Sequence, residues 1–239
     1  MAAAARLRFI TSDICPFAHR AWLVLREVGA DFEKVDVTLT AGKKEAHFTE
    51  IYRRALGANV MPDGSLSDGK VPVIEDAGFV LCESAVVAAY VDETRGGGRL
   101  SGADAKERAA IAIFNEQVGG PVMQKFYPFL MAQTPEAQAA GRAAFEAALS
   151  SFDKALAARG GPFAMGERLT LADTNVWPFV LRAMVVLGHY REWALDAARF
   201  PHAQRFVDAM RALPSVQATT VDPKVFIEGY AQYANGGKN

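Results

Sequence analysis

Asp13-Ile14-Cys15-Pro16-Phe17-Ala18-His19-Arg20 decides how the rest of the chain is read. Before it, Leu7-Arg8-Phe9-Ile10 has the character of a short strand. After it, residues 16–28 place Phe17, Leu23 and Val24 among the apolar positions of a helix. A strand ends, a cysteine follows, and Pro16 occupies the first helical turn, where its missing N–H removes no helical bond. Cys15 is thereby expected at the positive end of a helix, close to backbone N–H groups that lack helical partners. An ordinary thiol with a pKa of about 8.5 is only about 3% ionised at neutral pH, and a helix start can lower that pKa to roughly 3.5–7.5. A fall of two units needs about 2.7 kcal/mol. The helix dipole supplies about 0.3–1 kcal/mol, and up to about 2 in good geometry. One N–H···S bond is expected to cover the rest. The competing reading of Cys15 is a small buried hydrophobe.

The spacing says what kind of thiol this is. A two-cysteine redox site has its second cysteine three residues on, and here that place is Ala18. Cys15 is therefore expected to act alone, with an external thiol resolving any mixed disulfide it forms. Cys82 is the other cysteine of the chain; it closes a strand-like run just before Glu83-Ser84 and reads as a packed strand-end thiol.

Outward from this centre, the first part of the chain alternates. Residues 32–37 have period-two character, residues 43–56 read as a helix, and Val73-Ile74-Glu75 with Phe79-Val80-Leu81 reads as a hairpin across Asp76-Ala77-Gly78. Residues 84–93 carry Val87, Tyr90 and Val91 on a further helix. The order β-α-β-α-β-β-α fits a small sheet covered by helices. A linker is expected over residues 95–103, around Gly96-Gly97-Gly98, separating a domain of residues 1–94 from one of residues 104–239. Beyond the linker the strand signals stop. Phe145, Leu149, Phe152 and Leu156 line one helix face, which Gly160-Gly161-Pro162 ends. Thr170-Leu171-Ala172-Asp173 reads as a capping box, with Asp in place of the usual Glu or Gln, ahead of an apolar helix over residues 176–187. Residues 201–213 form one more amphipathic helix, stopped by Pro214.

Composition bounds the partners. Of 239 residues, 51% are hydrophobic and 22% charged, the balance of an ordinary globular protein rather than a disordered one. A formal net charge of −1 offers no overall basic field for nucleic acid phosphates. The longest stretch free of Asp, Glu, Lys and Arg is ten residues, for example residues 126–135, where a membrane-spanning helix needs about 20 apolar ones. The N-terminal residues show no apolar signal core, so a cytoplasmic location is expected. The four histidines, His19, His47, His189 and His202, lack metal-ligand spacing, and no metal is expected.

Four blocks together resemble the cytosolic glutathione transferases, and within them the cysteine-type branch: the omega and lambda classes and the related dehydroascorbate reductases. Residues 13–20 match that branch's Cys-Pro-Phe-x-x-Arg pattern. Lys70-Val71-Pro72-Val73-Ile74-Glu75 matches the segment holding a cis-proline, Leu81-Cys82-Glu83-Ser84-Ala85 the Glu-Ser step that opens the third helix, and residues 169–178 the capped core helix. The resemblance implies an α/β thioredoxin-like N-terminal domain followed by an all-α helical C-terminal domain. It also implies glutathione as cosubstrate.

On this resemblance the Val71 backbone, beside Pro72, pairs with the cysteinyl unit of glutathione; a cis X–Pro bond costs only about 0.5–1 kcal/mol. Ser84 and the adjacent N–H groups suit the γ-glutamyl carboxylate, and Ser84 also serves as a simple N-cap. Glu83 balances the ligand's amine. Lys70 either meets the glycyl carboxylate or is solvated. Phe17 either lines the pocket or packs under its helix. His19, one turn after Cys15, either influences the thiol or takes a half-exposed helical position. A second substrate is expected between the two domains, near Tyr127, Trp177 and Arg182, with plain core packing the competing reading of Trp177. One departure from the family is the long loop over residues 57–69, either a solvated turn or a wall of the site entrance.

The expected activity is thiol transfer from glutathionylated or mixed-disulfide substrates through a Cys15–glutathione disulfide, an intermediate that also serves dehydroascorbate reduction. Two alternatives stay open. One is conjugation of glutathione to electrophiles. The other is a non-catalytic binding or membrane-inserting role, as in the chloride intracellular channel relatives, against which Arg20, Arg26 and Glu27 in the first helix argue. The protein is expected to be a monomer or a homodimer.

Overall fold

The computed structural model describes residues 6–38, 45–58, 67 and 69–237. The chain divides into two compact units, Met1–Gly97 and Gly98–Asn239.

In the first unit the elements follow the order β1 (Leu7–Thr11), α1 (Pro16–Glu27), β2 (Phe32–Asp36), α2 (Ala46–Arg53), β3 (Val73–Asp76), β4 (Phe79–Cys82) and α3 (Ser84–Arg95). The sheet order is β2-β1-β3-β4, with β1 parallel to β2 and antiparallel to β3, and β3 antiparallel to β4. The parallel β1–β2 pair requires a crossover, which α1 supplies. Alternation along the strands sends Ile10, Val73, Val80 and Cys82 into one cluster with Phe48, Ile51 and Tyr52 of α2. On the intervening rung, Phe9, Ile74 and Leu81 are also buried, while α1 and α3 pack on each other. This two-sided cover buries α1 almost all round, from Ala18 to Leu25. The helix expected over residues 43–56 is shorter in the structure, and its first residues, 43 and 44, lie outside the described residues. So do residues 59–66 and 68 of the long loop.

The second unit is helical: α4 (Ala105–Phe114), α5 (Gly120–Met131), α6 (Pro135–Arg159), α7 (Leu171–Arg182), α8 (Gly188–Arg191), α9 (Pro201–Ala212), α10 (Pro214–Gln217) and α11 (Pro223–Ala234). Phe145, Leu149, Phe152 and Leu156 form the buried stripe of α6. That helix stops at Gly160, whose φ of +79° is the left-handed conformation that glycine adopts without a Cβ clash. Two π-helical turns, Asn115–Gly119 and Ala183–Leu187, interrupt the pattern. The apolar run expected over residues 176–187 therefore splits: α7 ends at Arg182 and the remainder winds more loosely. The capping box is present at Thr170 and Asp173. Among the described residues no helix is long and apolar enough to cross a membrane.

Candidate functional site

Three helix and loop ends of the first unit meet. Cys15 is the N-cap of α1, with extended backbone angles (φ −77°, ψ 117°) and Pro16 just inside the helix. Its Sγ accepts from the Ala18 N–H at 3.4 Å, and the thiol donates toward the Val71 carbonyl at 3.8 Å. A bond in which an N–H faces sulfur is stronger to a thiolate than to a thiol, so this cap favours ionisation. Cys15 is half-buried.

The second end is the bend at Val71-Pro72, joined by a cis peptide bond. Both residues are buried, whereas Lys70 is exposed. The third end is the start of α3. Glu83 takes φ +73° and ψ 106°, a conformation that L side chains rarely adopt, and it makes no side-chain cap bond. Held strain of this kind is found where a ligand or a reaction requires one backbone shape. Ser84 follows as the first residue of α3 and is 8% exposed, while the Glu83 side chain is exposed.

Arg20 links these ends. It is 6% exposed, donates from Nη1 to Ser84 Oγ at 3.0 Å, and lies over the Phe17 ring at 4.9 Å from the centroid. Burial pulls its guanidinium down to about 10, and the attraction of the Cys15 thiolate pushes it back up. It therefore stays charged at neutral pH. From sequence, Arg20 is the last residue of the motif and a charge that interrupts the first helix, with no part in the site. Phe17 is 42% exposed, so it is not packed under its helix. His19 departs from the half-exposed position considered for it: it is 2% exposed, beside Trp22 with ring centroids 5.9 Å apart, because both sides of α1 are covered.

Cys82 behaves differently. It is 2% exposed, its thiol donates to the Leu56 carbonyl at 3.4 Å, and burial pushes its pKa up to about 11. Among the described residues no group of His, Cys, Asp and Glu side chains stands ready to hold a metal ion.

Of the three residues suggested for the second substrate, all in the second unit, two are packed in the core. Trp177 is 0% exposed with its ring edge toward Phe206, and Arg182 is 0% exposed over the Phe226 ring at 4.3 Å. Their burial follows from α7 running through the centre of the unit, which its largely apolar sequence requires. Tyr127 is half-buried, stacked on Tyr230 and close to Tyr233, two α11 tyrosines that the sequence reading did not single out.

Residues 14–94 match the family description "Glutathione S-transferase, N-terminal domain" and residues 135–209 match "Glutathione S-transferase, C-terminal domain". The two stretches together cover more than half of the chain. The chain belongs to the glutathione transferase superfamily. Its relatives include Glutathione S-transferase L3 of Arabidopsis thaliana, 27% identical over 224 residues that cover 92% of this chain and 85% of the relative. Glutathione S-transferase DHAR2 of the same plant is 22% identical over 221 residues, covering 92% and 91%. Among solved structures, glutathione transferase Omega 3C from Trametes versicolor superposes with a TM-score of 0.78 at 25% identity, covering 97% of this chain and 91% of that one. As a glutathione transferase, the protein has a mixed-sheet first domain and a helical second domain, and glutathione is the family's substrate.

Proposed function

We propose that this glutathione transferase is a thiol transferase in which Cys15 is the nucleophile. The observation that carries the reading is the Ala18 N–H on Cys15 Sγ: the position that holds a resolving cysteine in two-cysteine sites here contributes only its backbone donor. In the first step the Cys15 thiolate attacks the glutathione sulfur of a mixed disulfide R–S–S–G. The substrate S–S bond breaks, Cys15–S–S–G forms, and R–S⁻ leaves and takes a proton. In the second step a glutathione thiolate attacks that sulfur, oxidised glutathione leaves, and Cys15 regains its thiolate. The net reaction, R–S–S–G + GSH → R–SH + G–S–S–G, oxidises one glutathione thiol and reduces the R sulfur to R–SH. The same intermediate serves dehydroascorbate, which takes two electrons and two protons as the Cys15 and one glutathione thiol join in Cys15–S–S–G; a second glutathione then releases oxidised glutathione.

In this reading the Val71 backbone, next to Pro72, meets the cysteinyl unit of glutathione, Ser84 the γ-glutamyl carboxylate, Glu83 the amine, Lys70 the glycyl carboxylate, and Phe17 forms an apolar wall. Residues 1–94 form the glutathione-binding domain and residues 104–239 the substrate domain, where Tyr127 has surface to offer a second substrate. A reducing, glutathione-rich compartment such as the cytoplasm suits the second step, and the enzyme works as a monomer or a homodimer. The name of the Trametes structure, Omega 3C, supports the omega-like reading.

The test is the mass of the protein after incubation with oxidised glutathione. One glutathione added, mapped to Cys15 and removed by reduced glutathione, is the expected result. An adduct on Cys82 alone, or none, refutes the mechanism.

A further inference from the structure

Arg20 is a long cation held 94% out of solvent between two polar groups of opposite use. Its Nη1 donates to Ser84 Oγ, which uses one oxygen lone pair and leaves the hydroxyl hydrogen to donate elsewhere. Its charge is felt at Cys15, whose thiolate attracts the guanidinium against the cost of its burial. Its position is restrained by the Phe17 ring on which it lies. We propose that Arg20 is a positioning residue that serves both halves of the site, holding the Cys15 sulfur in its charged form and turning the Ser84 hydroxyl outward as a donor to a ligand carboxylate.

The first half follows from electrostatics. A buried cation favours a nearby anion more strongly than an exposed one, because less water screens the pair. The other charged or titratable groups on the elements around Cys15 are differently placed. Asp13, in the turn before it, is paired with Lys34 of β2 at 2.7 Å, and Lys34 also meets Asp36 at 2.8 Å. Lys70 and Glu83 are exposed, opposite in sign, and act on Cys82 in opposite directions. His19 is buried against Trp22 on the same helix as Arg20. Asp92 of α3, the helix packed on α1, is also buried, and Arg20 is a buried permanent cation on the same helix as Cys15 whose field acts on the thiol.

The second half follows from hydrogen-bond direction. Arginine is a donor only, so a hydroxyl that faces it must accept. Ser84 opens α3, where backbone N–H groups also lack helical partners. A hydroxyl turned to donate, a row of N–H groups and a cation behind them form a seat for a carboxylate and not for an amine. This half rests on the glutathione reading above; the thiol half does not.

Three variants test the proposal: Arg20→Met, Arg20→Lys and Ser84→Ala. The first measurement is the pH dependence of iodoacetamide alkylation at Cys15, read from its peptide mass, which needs no glutathione. In Arg20→Met the midpoint is expected to rise by about one pH unit. Arg20→Lys keeps the charge and holds the midpoint within about half that shift, and Ser84→Ala leaves it in place. The second measurement is the affinity for S-methylglutathione by calorimetry. Arg20→Met and Ser84→Ala are each expected to lose about tenfold, and Arg20→Lys, which lacks the planar donor fork, falls in between.

A folded Arg20→Met with an unmoved midpoint overturns the thiol half. A Ser84→Ala midpoint that moves as far as that of Arg20→Met also overturns it, because the shift would then report a disturbed fold. If Arg20→Met fails to fold, Arg20→Lys decides: wild-type affinity in that variant refutes the carboxylate half. If the wild-type protein binds no S-methylglutathione, the glutathione reading fails and the carboxylate half with it, while the alkylation midpoints still decide the thiol half.

Discussion

Two helix starts, α1 in the first unit and α7 in the second, face the same problem with opposite solutions. Each exposes backbone N–H groups that no preceding carbonyl satisfies. At α7 the answer is a carboxylate enclosed in protein. Asp173 is 0% exposed and accepts from the Thr170 N–H at 2.7 Å, the Thr170 hydroxyl at 2.9 Å and the Ala164 N–H at 2.6 Å. At α1 the cap is a half-buried sulfur that accepts from the Ala18 N–H at 3.4 Å. Sulfur is a weak, polarisable acceptor, so it can leave its cap and bond to another atom. The α7 cap spends its helix end on the fold; the α1 cap leaves its helix end available to chemistry.

The largest break in this contrast is Cys15→Ser. Thiol transfer and dehydroascorbate reduction are expected to fall at least about 100-fold, since a hydroxyl forms no disulfide. Serine is a good N-cap, so the melting temperature should change by no more than about 3 °C. Conjugation of glutathione to a chloronitrobenzene should persist or rise, because the serine hydroxyl can donate to the glutathione thiolate. Steady-state rates with each substrate check this, and an unchanged transfer rate would erase the distinction between the two caps.

Asp173→Ala probes the other side. It leaves the Thr170 and Ala164 donors buried without an acceptor, for an expected loss of about 2–4 kcal/mol in urea unfolding. Transfer activity per folded molecule is expected to stay within about twofold. A loss of activity without a loss of stability would contradict the division of labour.

The same residue has a pH signature of smaller size. Burial raises the Asp173 carboxyl from 3.8 to about 6, outweighing the donors that favour its charged form. The folded protein therefore binds this proton more tightly than the unfolded chain does. The contribution to stability is complete below about pH 4 and is lost as the pH rises through 6. Urea midpoints between pH 4.5 and 7.5 should show this slope in the wild type and lose it in Asp173→Asn.

The smallest effect expected is at the second thiol. Cys82, with its pKa near 11 and its thiol on the Leu56 carbonyl, should take up no glutathione at neutral pH. Cys82→Ala should transfer thiols at a rate within about twofold of wild type and lose no more than about 1 kcal/mol of stability. A larger kinetic effect would make Cys82 a working partner of Cys15.

How far the sequence could be read depended on the range of the interaction involved. The β-α-β-α-β-β-α order, the capping box at Thr170 and Asp173, the stop at Gly160 and the expectation of a helix starting after Cys15 all rest on neighbours within a few residues, and the structure has each of them. The π-turn at Ala183–Leu187 was hidden because an apolar run looks the same in either winding. Core packing was one of the two readings open for Trp177, and the structure has it; the burial of His19 and Arg182 was hidden because exposure depends on what covers a helix, and periodicity shows only that something does.

By itself the sequence determined a lone cysteine ahead of a proline at a helix start, an alanine where a resolving thiol would stand, and a change from alternating to all-helical pattern near residue 94. These are local facts, set by backbone sterics and hydrogen-bonding capacity at fixed spacing. Only the tertiary structure decided that Val71 comes within reach of the Cys15 thiol, 56 residues apart in sequence, and that Arg20 bonds Ser84 across 64 residues. It alone decided that one thiol stays approachable while the other is sealed at 2% exposure. The reason is physical: the field and solvation at a sulfur come from whatever the folded chain packs around it, and chain order does not specify those neighbours.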